Sequence, residues 1–171
     1  CTIEGSIAFE NNANGISAGL STLVLYCTAY SNGTNGILMA NTRPLLPAAG
    51  GAELVVGNNP LAIPVPTGGE PLVLDLAMSA GAMGKIRLAD SRGEPLPEGW
   101  AATTDGVPTT NAAEAIKGML LPAAGPKGFG LAFVIDLLCG GLSDGAIGAE
   151  VRPLYGDPAL PYRCSQLFLA I

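Results

Sequence analysis

The stretch "GPKGFGLAFVIDLL", residues 125–138, places a lysine among glycines ahead of a nearly unbroken apolar run. The length and apolar content of that run predict a buried helix over residues 129–139. A helix N-terminus offers free N–H groups to an anion, glycines allow close approach to the backbone, and Lys127 adds a full charge. The residues alone leave two interpretations open: an anion-binding site, or only a glycine-rich start to a buried helix.

Two common phosphate-binding motifs do not fit this stretch. A P-loop has Ser or Thr directly after its lysine to hold magnesium, whereas Gly128 follows Lys127. The dinucleotide fingerprint follows a strand directly, and no strand pattern immediately precedes Gly125. Asp136, inside the apolar run, is expected to be a paired structural acid, because a buried carboxylate needs a partner.

Outward from this stretch, apolar segments and turn signals alternate irregularly. Predicted strands cover residues 5–12, 37–41, 61–66, 72–79 and the final "SQLFLAI", and predicted helices cover residues 17–30, 80–93, 111–119 and 129–139. Prolines make 61–66 an edge or irregular strand, and 72–79 is expected to be buried although it carries Asp75. Residues 43–60 and 94–110 are predicted to be loops. The pattern indicates an α/β fold of the mixed α+β kind.

The clearest local signals are those of helix ends. Asn111 is predicted to be an N-cap, with Glu114 three residues later at capping-box spacing. Gly93 is expected to end the helix over 80–93. Ser79 ends a predicted strand, where it could cap the following helix. The single tryptophan, Trp100, falls in a predicted loop and is expected to pack at an interface or beside a ligand.

Composition excludes some classes of partner. The chain has 171 residues and a net charge of −6 with only 8 Lys and Arg, so no basic footprint for nucleic acid or anionic lipid is expected. Its apolar runs are broken before the roughly 20 residues that span a bilayer. Charged residues make up 13% of the chain against about 25% in an average protein, which predicts a surface covered by a subunit partner or by a missing domain.

The chain contains no histidine, which removes every Ser-His and Cys-His nucleophile and the commonest general acid-base. Without histidine and with four scattered cysteines, no metal site is expected. Cys27 and Cys139 lie in apolar runs as small core residues, which favours a reducing, cytoplasmic setting. The first residue, Cys1, and the apolar end "LFLAI" suggest a piece of a longer protein.

Five motifs in order give the sequence a specific resemblance. They are "GNNPLAIPVP", "LVLDLAMSAGAMGKI", "EPLPEGWAATTDGVPTT", "LLPAAGPKGFGLAFVIDLLCGGLSDGA" and "SQLFLAI". Together they resemble the malate/L-lactate dehydrogenase family of NAD(P)-dependent 2-oxoacid reductases, over about Glu4 to Ile171. Within that family, "LSDGAIGAEV" and "SQLFLAI" are most similar to the 2,3-diketo-L-gulonate reductases.

The resemblance implies a non-Rossmann nucleotide-binding domain, like that of sulfolactate dehydrogenase, in which helices flank a mostly antiparallel sheet. Residues 1–171 would form that single domain, and the family's second, helical domain would be absent from this chain. The resemblance further implies NAD or NADP as cofactor, a 2-oxoacid or sugar-acid substrate, and a homodimer. It assigns cofactor contacts to three stretches: Leu74, Asp75, Leu76, Ala77, Met78, Ser79 and Ala80; Pro126 and Lys127; and Asn41 and Asn59 near the nicotinamide end.

The sequence also departs from the family's pattern. The family's catalytic histidine lies in a Ser-His-Gly motif that this chain lacks, so its catalytic residues stay unknown. Thr103 stands where the family often has an acid, and Asn58 stands where its Gly-Thr-Asn-Pro motif has threonine. These departures keep two alternatives open: a non-catalytic homologue that binds a nucleotide or packs against a subunit, and an unrelated α/β domain that binds a small acid at residues 125–128.

Overall fold

A computed structural model describes residues 36–68, 71–153, 156–157 and 159–170. The predicted strand over 5–12 and the predicted helix over 17–30 lie outside these ranges. The strands are β1 (Gly36–Ala40), β2 (Leu46–Pro47), β3 (Leu54–Val56), β4 (Leu61–Val65), β5 (Leu72–Leu76), β6 (Ala101–Ala102), β7 (Pro108–Thr109), β8 (Met119–Leu120) and β9 (Gln166–Ala170). The helices are α1 (Met83–Arg92), α2 (Ala112–Lys117) and α3 (Pro126–Leu142), and a 3₁₀ turn covers Gly148–Glu150.

The main sheet is antiparallel and has the strand order β5-β4-β1-β9. This order corrects two expectations. Strand β4 was expected to be an edge or irregular strand; it is internal, but only two of its residues pair with β1, and Pro64, which lacks an N–H, lies beyond them. Strand β5 was expected to be buried and is the exposed edge, with Leu72 62% exposed. An apolar run predicts a strand, but it does not predict which faces of that strand are covered by other residues of the same chain.

Helix α3 packs against one face of this sheet. Met39 of β1 lies opposite Leu61 of β4 and Leu167 of β9, and these side chains join the same hydrophobic cluster as Ala132 and Ile135 of α3. The predicted helix over 129–139 is confirmed, but it begins three residues earlier, at Pro126, because proline is well tolerated in the first turn.

Among the remaining elements, the small sheet β7-β6-β8 packs against α2, and α2 packs against α1. The predicted loops 43–60 and 94–110 contain β2, β3, β6 and β7, strands too short for a periodic pattern to reveal. Gly93 ends α1 with a φ of 67°, as expected from its position. Among helices in the described ranges, none is long and apolar enough to cross a membrane.

Helix α2 begins as its sequence predicts. The Asn111 side chain accepts hydrogen bonds from the backbone N–H groups of Ala113 and Glu114. The reciprocal half of the capping box is replaced by a relay: the Asn111 N–H donates to the Thr109 hydroxyl, which donates to the Glu114 carboxylate at 2.6 Å.

Candidate functional site

One end of the main sheet gathers most of the predicted site. The register places Met39 opposite Leu61, Leu61 opposite Leu76, and Ala40 opposite Gln166. The chain therefore leaves β1, enters β4, leaves β5 and enters β9 at the same end. The loops 41–43, 57–60, 77–80 and 162–165 meet there because adjacent strands run in opposite directions.

The segment after β5 is held on two sides by backbone hydrogen bonds. The N–H of Met78 donates to the Asn58 carbonyl at 2.7 Å, and the Met78 carbonyl accepts from Ala123 at 2.9 Å. The N–H of Ala80 donates to Leu121 at 2.8 Å, and Ser79 lies opposite Pro122 in an antiparallel bridge. Residues 121–123 lead directly into α3, so the structure brings the "LAMSA" and "GPKG" stretches together.

The start of α3 is shaped by two glycines. Gly125 has φ 60° and ψ −122°, a conformation that residues with a side chain rarely adopt, and open space lies where a Cβ would stand. Gly128 is buried, and a Cβ there would overlap the carbonyl oxygen of Ala123. No side chain in the described parts of the chain caps this helix, and Pro126 and Lys127 are exposed. The first turn therefore presents a lysine to solvent, and its N–H groups have no side-chain cap.

The residues that were predicted to contact the cofactor in β5 and just after it differ in their exposure to solvent. Leu74, Asp75 and Leu76 are exposed on the edge strand, and Ala80 is exposed just after it. Asp75 lies opposite Ala62, and partial desolvation raises its pKa above the ordinary value. Ala77 and Ser79 are half-buried.

Met78 differs from its neighbours, because its side chain is 1% exposed and belongs to the hydrophobic core. Its backbone makes two of the three hydrogen bonds that hold the segment. Met78 therefore fixes the position of Ser79 from the interior.

Asn41 and Asn59 are buried, at 1% and 0% exposure, and both amide groups are used inside the protein. The Asn59 oxygen accepts from the Thr42 N–H at 2.9 Å, and its NH₂ donates to the carbonyl of Ala132 in α3 at 2.8 Å. The Asn41 oxygen accepts from the Ser165 N–H at 2.7 Å, and its NH₂ donates to Ala146 at 2.8 Å. Both side chains thus connect loops to other elements.

Asn58, which replaces the family's threonine, is part of the same loop structure. Its side-chain oxygen accepts a hydrogen bond from the Thr42 hydroxyl at 3.0 Å. Gly57 is required beside it, since a Cβ would overlap both Thr42 and the Asn59 side chain. The "GNNP" loop is therefore packed tightly against the end of β1.

Two structural features of the candidate site could not be predicted from the local sequence. The pairing of residues 78–80 with 121–123 joins segments with no shared sequence signal. Trp100, expected at an interface or a ligand, is half-buried: its indole covers Gly81, where a Cβ would overlap the ring, and its carbonyl accepts from the Leu121 N–H at 2.9 Å. Trp100 thus supports both sides of the pairing.

Asp136 lies on α3 away from the first turn, with 0% exposure. Its Oδ2 accepts from the Gly148 N–H at 2.7 Å, so its partner is a backbone amide, and Oδ1 has no partner in the part of the chain that the structure describes. Desolvation raises the Asp136 pKa, opposed by hydrogen bonds from Gly148 and Asn41. Burial likewise raises the pKa of Cys139 to about 11, which keeps this thiol protonated and suits a core residue.

Comparison with known proteins agrees with this architecture. The family model for malate/L-lactate dehydrogenase matches residues 18–171, and the chain belongs to that family. It is 37% identical over 156 residues to a malate dehydrogenase of Pyrococcus abyssi, covering 86% of this chain and 42% of the relative. It is 42% identical over 139 residues to a ureidoglycolate dehydrogenase (NAD(+)) of Escherichia coli K12, covering 80% of this chain and 39% of the relative.

The solved structure of sulfolactate dehydrogenase from Methanocaldococcus jannaschii superposes with a TM-score of 0.74 at 37% identity, covering 81% of this chain and 40% of that one. The predicted fold, a mixed α/β domain built on an antiparallel sheet, is thereby confirmed. The chain spans less than half the length of each of these three proteins.

Proposed function

We propose that this chain is the nucleotide-binding domain of an NAD(P)-dependent oxidoreductase that interconverts a 2-oxoacid, or a diketo sugar acid, and its hydroxy acid. One observation carries the proposal: the pairing of residues 78–80 with 121–123 places Ser79 beside the start of α3, where Lys127 lies. Family membership supports the reaction class.

The residues at this end of the sheet fit a dinucleotide. The uncapped first turn of α3, the open space at Gly125 and the exposed Lys127 suit the phosphate groups. Asp75 has a carboxylate that can accept hydrogen bonds from ribose hydroxyls, and Ser79 adds a polar contact. Leu74, Leu76, Ala77 and Ala80 offer apolar surface along the same segment. Asn41, Asn59 and the backbone of Met78 keep these loops in place.

The bound nicotinamide would supply the hydride for reduction of the substrate carbonyl. The residues of this chain would bind and orient the cofactor through its phosphate and ribose groups. Reduction of a ketone also requires a proton at the oxygen, and the 171 residues contain no histidine to deliver it. We therefore assign the proton donor to a histidine outside these residues.

The absence of histidine also favours a second candidate function, a domain that binds nucleotide or packs against a subunit without catalysing a reaction. Thr103, at the position where the family often has an acid, agrees with this alternative, since its hydroxyl accepts from the Val107 N–H at 3.3 Å within a turn. Turnover by a longer polypeptide that contains this sequence would rule it out.

The proposal includes the setting of the protein. Exposed apolar residues on β5 and on the outer side of α3 fit a homodimer. Four cysteines without a CxxC motif fit a reducing, cytoplasmic environment.

Titration of the chain with NADH and with NADPH, followed by nicotinamide fluorescence, tests cofactor binding and distinguishes the two cofactors. The variant Lys127→Ala should raise the Kd of the preferred dinucleotide roughly tenfold or more, since it removes a charge-assisted contact to phosphate. It should affect reduced nicotinamide riboside, which carries no phosphate, much less.

Lys117→Ala is the matched control, because Lys117 is an exposed lysine on α2, which packs against α1 and the small sheet. Its Kd should equal that of the wild type. Equal losses for the dinucleotide and the riboside in Lys127→Ala would refute the phosphate role, and no saturable binding of either dinucleotide would refute the proposed function.

A further inference from the structure

The loop 57–60 connects the two halves of the candidate site. On one side, the Asn58 carbonyl accepts the hydrogen bond from Met78, next to Ser79. On the other side, the Asn59 NH₂ donates to the Ala132 carbonyl of α3. Two adjacent residues therefore hold the Ser79 segment and the α3 helix at the same time.

The contact at Ala132 is well placed to set the direction of α3. Ala132 lies five residues beyond Lys127, about 7.5 Å along the helix axis. Because an α-helix moves as a stiff element, an anchor in the second turn fixes where the first turn and Lys127 point. A rotation that loses this anchor would move the first turn relative to Ser79.

Asn59 is itself held firmly. Its side-chain oxygen accepts from the Thr42 N–H at 2.9 Å, and its φ is 22°, where asparagine is better tolerated than most residues. At Gly57, two residues earlier, a Cβ would overlap the side-chain oxygen of Asn59, so this position has no room for a side chain. With 0% exposure, the Asn59 amide is out of reach of a bound nucleotide.

We infer that Asn59 is a positioning residue for the cofactor site: it sets the geometry between Ser79 and the start of α3 without contacting the cofactor. The inference rests on the proposed function. It changes the role that the family resemblance implied for Asn59, from direct contact near the nicotinamide to support of the phosphate-binding end.

The chain provides a control in Asn111, which lies outside the candidate site. Asn111 is the N-cap of α2, where its side chain accepts hydrogen bonds from the N–H groups of Ala113 and Glu114. Asn59→Ala removes one acceptor and one donor at a buried position, and Asn111→Ala removes a helix cap. Both variants should therefore lose thermal stability.

The experiment compares NADH binding by the full 171-residue chain in the wild type, Asn59→Ala and Asn111→Ala, at a temperature where all three are folded. We expect Asn59→Ala to raise the Kd about tenfold or more, because small displacements of positioned groups have large effects. Asn111→Ala should stay within about threefold. Equal Kd changes in the two variants, or wild-type affinity in Asn59→Ala, would overturn the inference.

A second measurement needs no ligand. Hydrogen exchange should become faster at the Phe129 and Ala123 amides in Asn59→Ala and stay unchanged there in Asn111→Ala. If Asn59→Ala is unfolded, Asn59→Gly replaces it, since glycine accepts a positive φ. Failure of the wild type to bind NADH would overturn the proposed function, whereas unchanged exchange in the Asn59 variant would overturn the positioning role by itself.

Discussion

At the scale of single residues, the buried carboxyl group of Asp136 uses only part of its hydrogen-bonding capacity. Its Oδ2 accepts the Gly148 amide hydrogen, while Oδ1 has no partner among the described residues. Burial raises its pKa, so the folded state holds the proton more tightly than the unfolded state does. The unfolded state then binds fewer protons than the folded state. The contribution of Asp136 to the free energy of unfolding therefore falls as the pH rises from 3.8, the ordinary pKa of the carboxyl group, through the raised pKa of the folded state.

Asp136→Asn should remove this pH dependence, because asparagine does not ionise and keeps an acceptor for the Gly148 N–H. The measurement is the difference in urea midpoint between variant and wild type, from pH about 4 to about 8. The difference should shift in favour of the variant as the pH rises, while the other carboxyl groups, present in both proteins, cancel. A difference that is flat with pH would show that Asp136 does not carry a raised pKa.

At the scale of elements, α3 depends on close contact at its start. A Cβ at Gly128 would overlap the Ala123 carbonyl, so Gly128→Ala should displace the first turn and destabilise the protein by about 1–3 kcal/mol. Gly130→Ala is the control in the same helix, because open space lies around Gly130, and it should stabilise by up to about 1 kcal/mol. Urea denaturation of both variants checks this, and destabilisation by Gly130→Ala of similar size would contradict it.

The elements also show what the sequence could predict. Caps at Asn111 and Gly93 depend on residues within a few positions, and both were predicted correctly. The exposure of β5 and the internal place of β4 depend on pairing partners elsewhere: β5 was predicted to be buried, and β4 was predicted to be an edge or irregular strand. The site stretches came from family motifs, but the bonds of Asn59 and Asn41 span 73 and 105 residues, beyond the reach of any local pattern.

At the scale of the whole molecule, many large apolar side chains are exposed among the described residues. Helix α3 has buried residues on one side and exposed ones on the other, where Leu142 is 71% exposed. Val134 and Leu137 lie one turn apart on that exposed side. If this surface is covered by a second copy, Val134→Glu combined with Leu137→Glu should convert a dimer into a monomer, measured by sedimentation velocity. An unchanged oligomeric state in the double variant would place the dimer contact elsewhere.

The contact of Trp100 with Gly81 has a practical consequence for all of these experiments. The chain contains one tryptophan. The Trp100 ring lies against Gly81, two residues after Ser79, and the Trp100 carbonyl accepts a hydrogen bond from the Leu121 N–H. Indole emission overlaps the absorption of a reduced nicotinamide, so a bound dinucleotide would quench it by energy transfer. If the proposed site binds a dinucleotide, Trp100 would serve as an intrinsic optical reporter at the junction of its two halves, and cofactor binding could be followed without attaching a label.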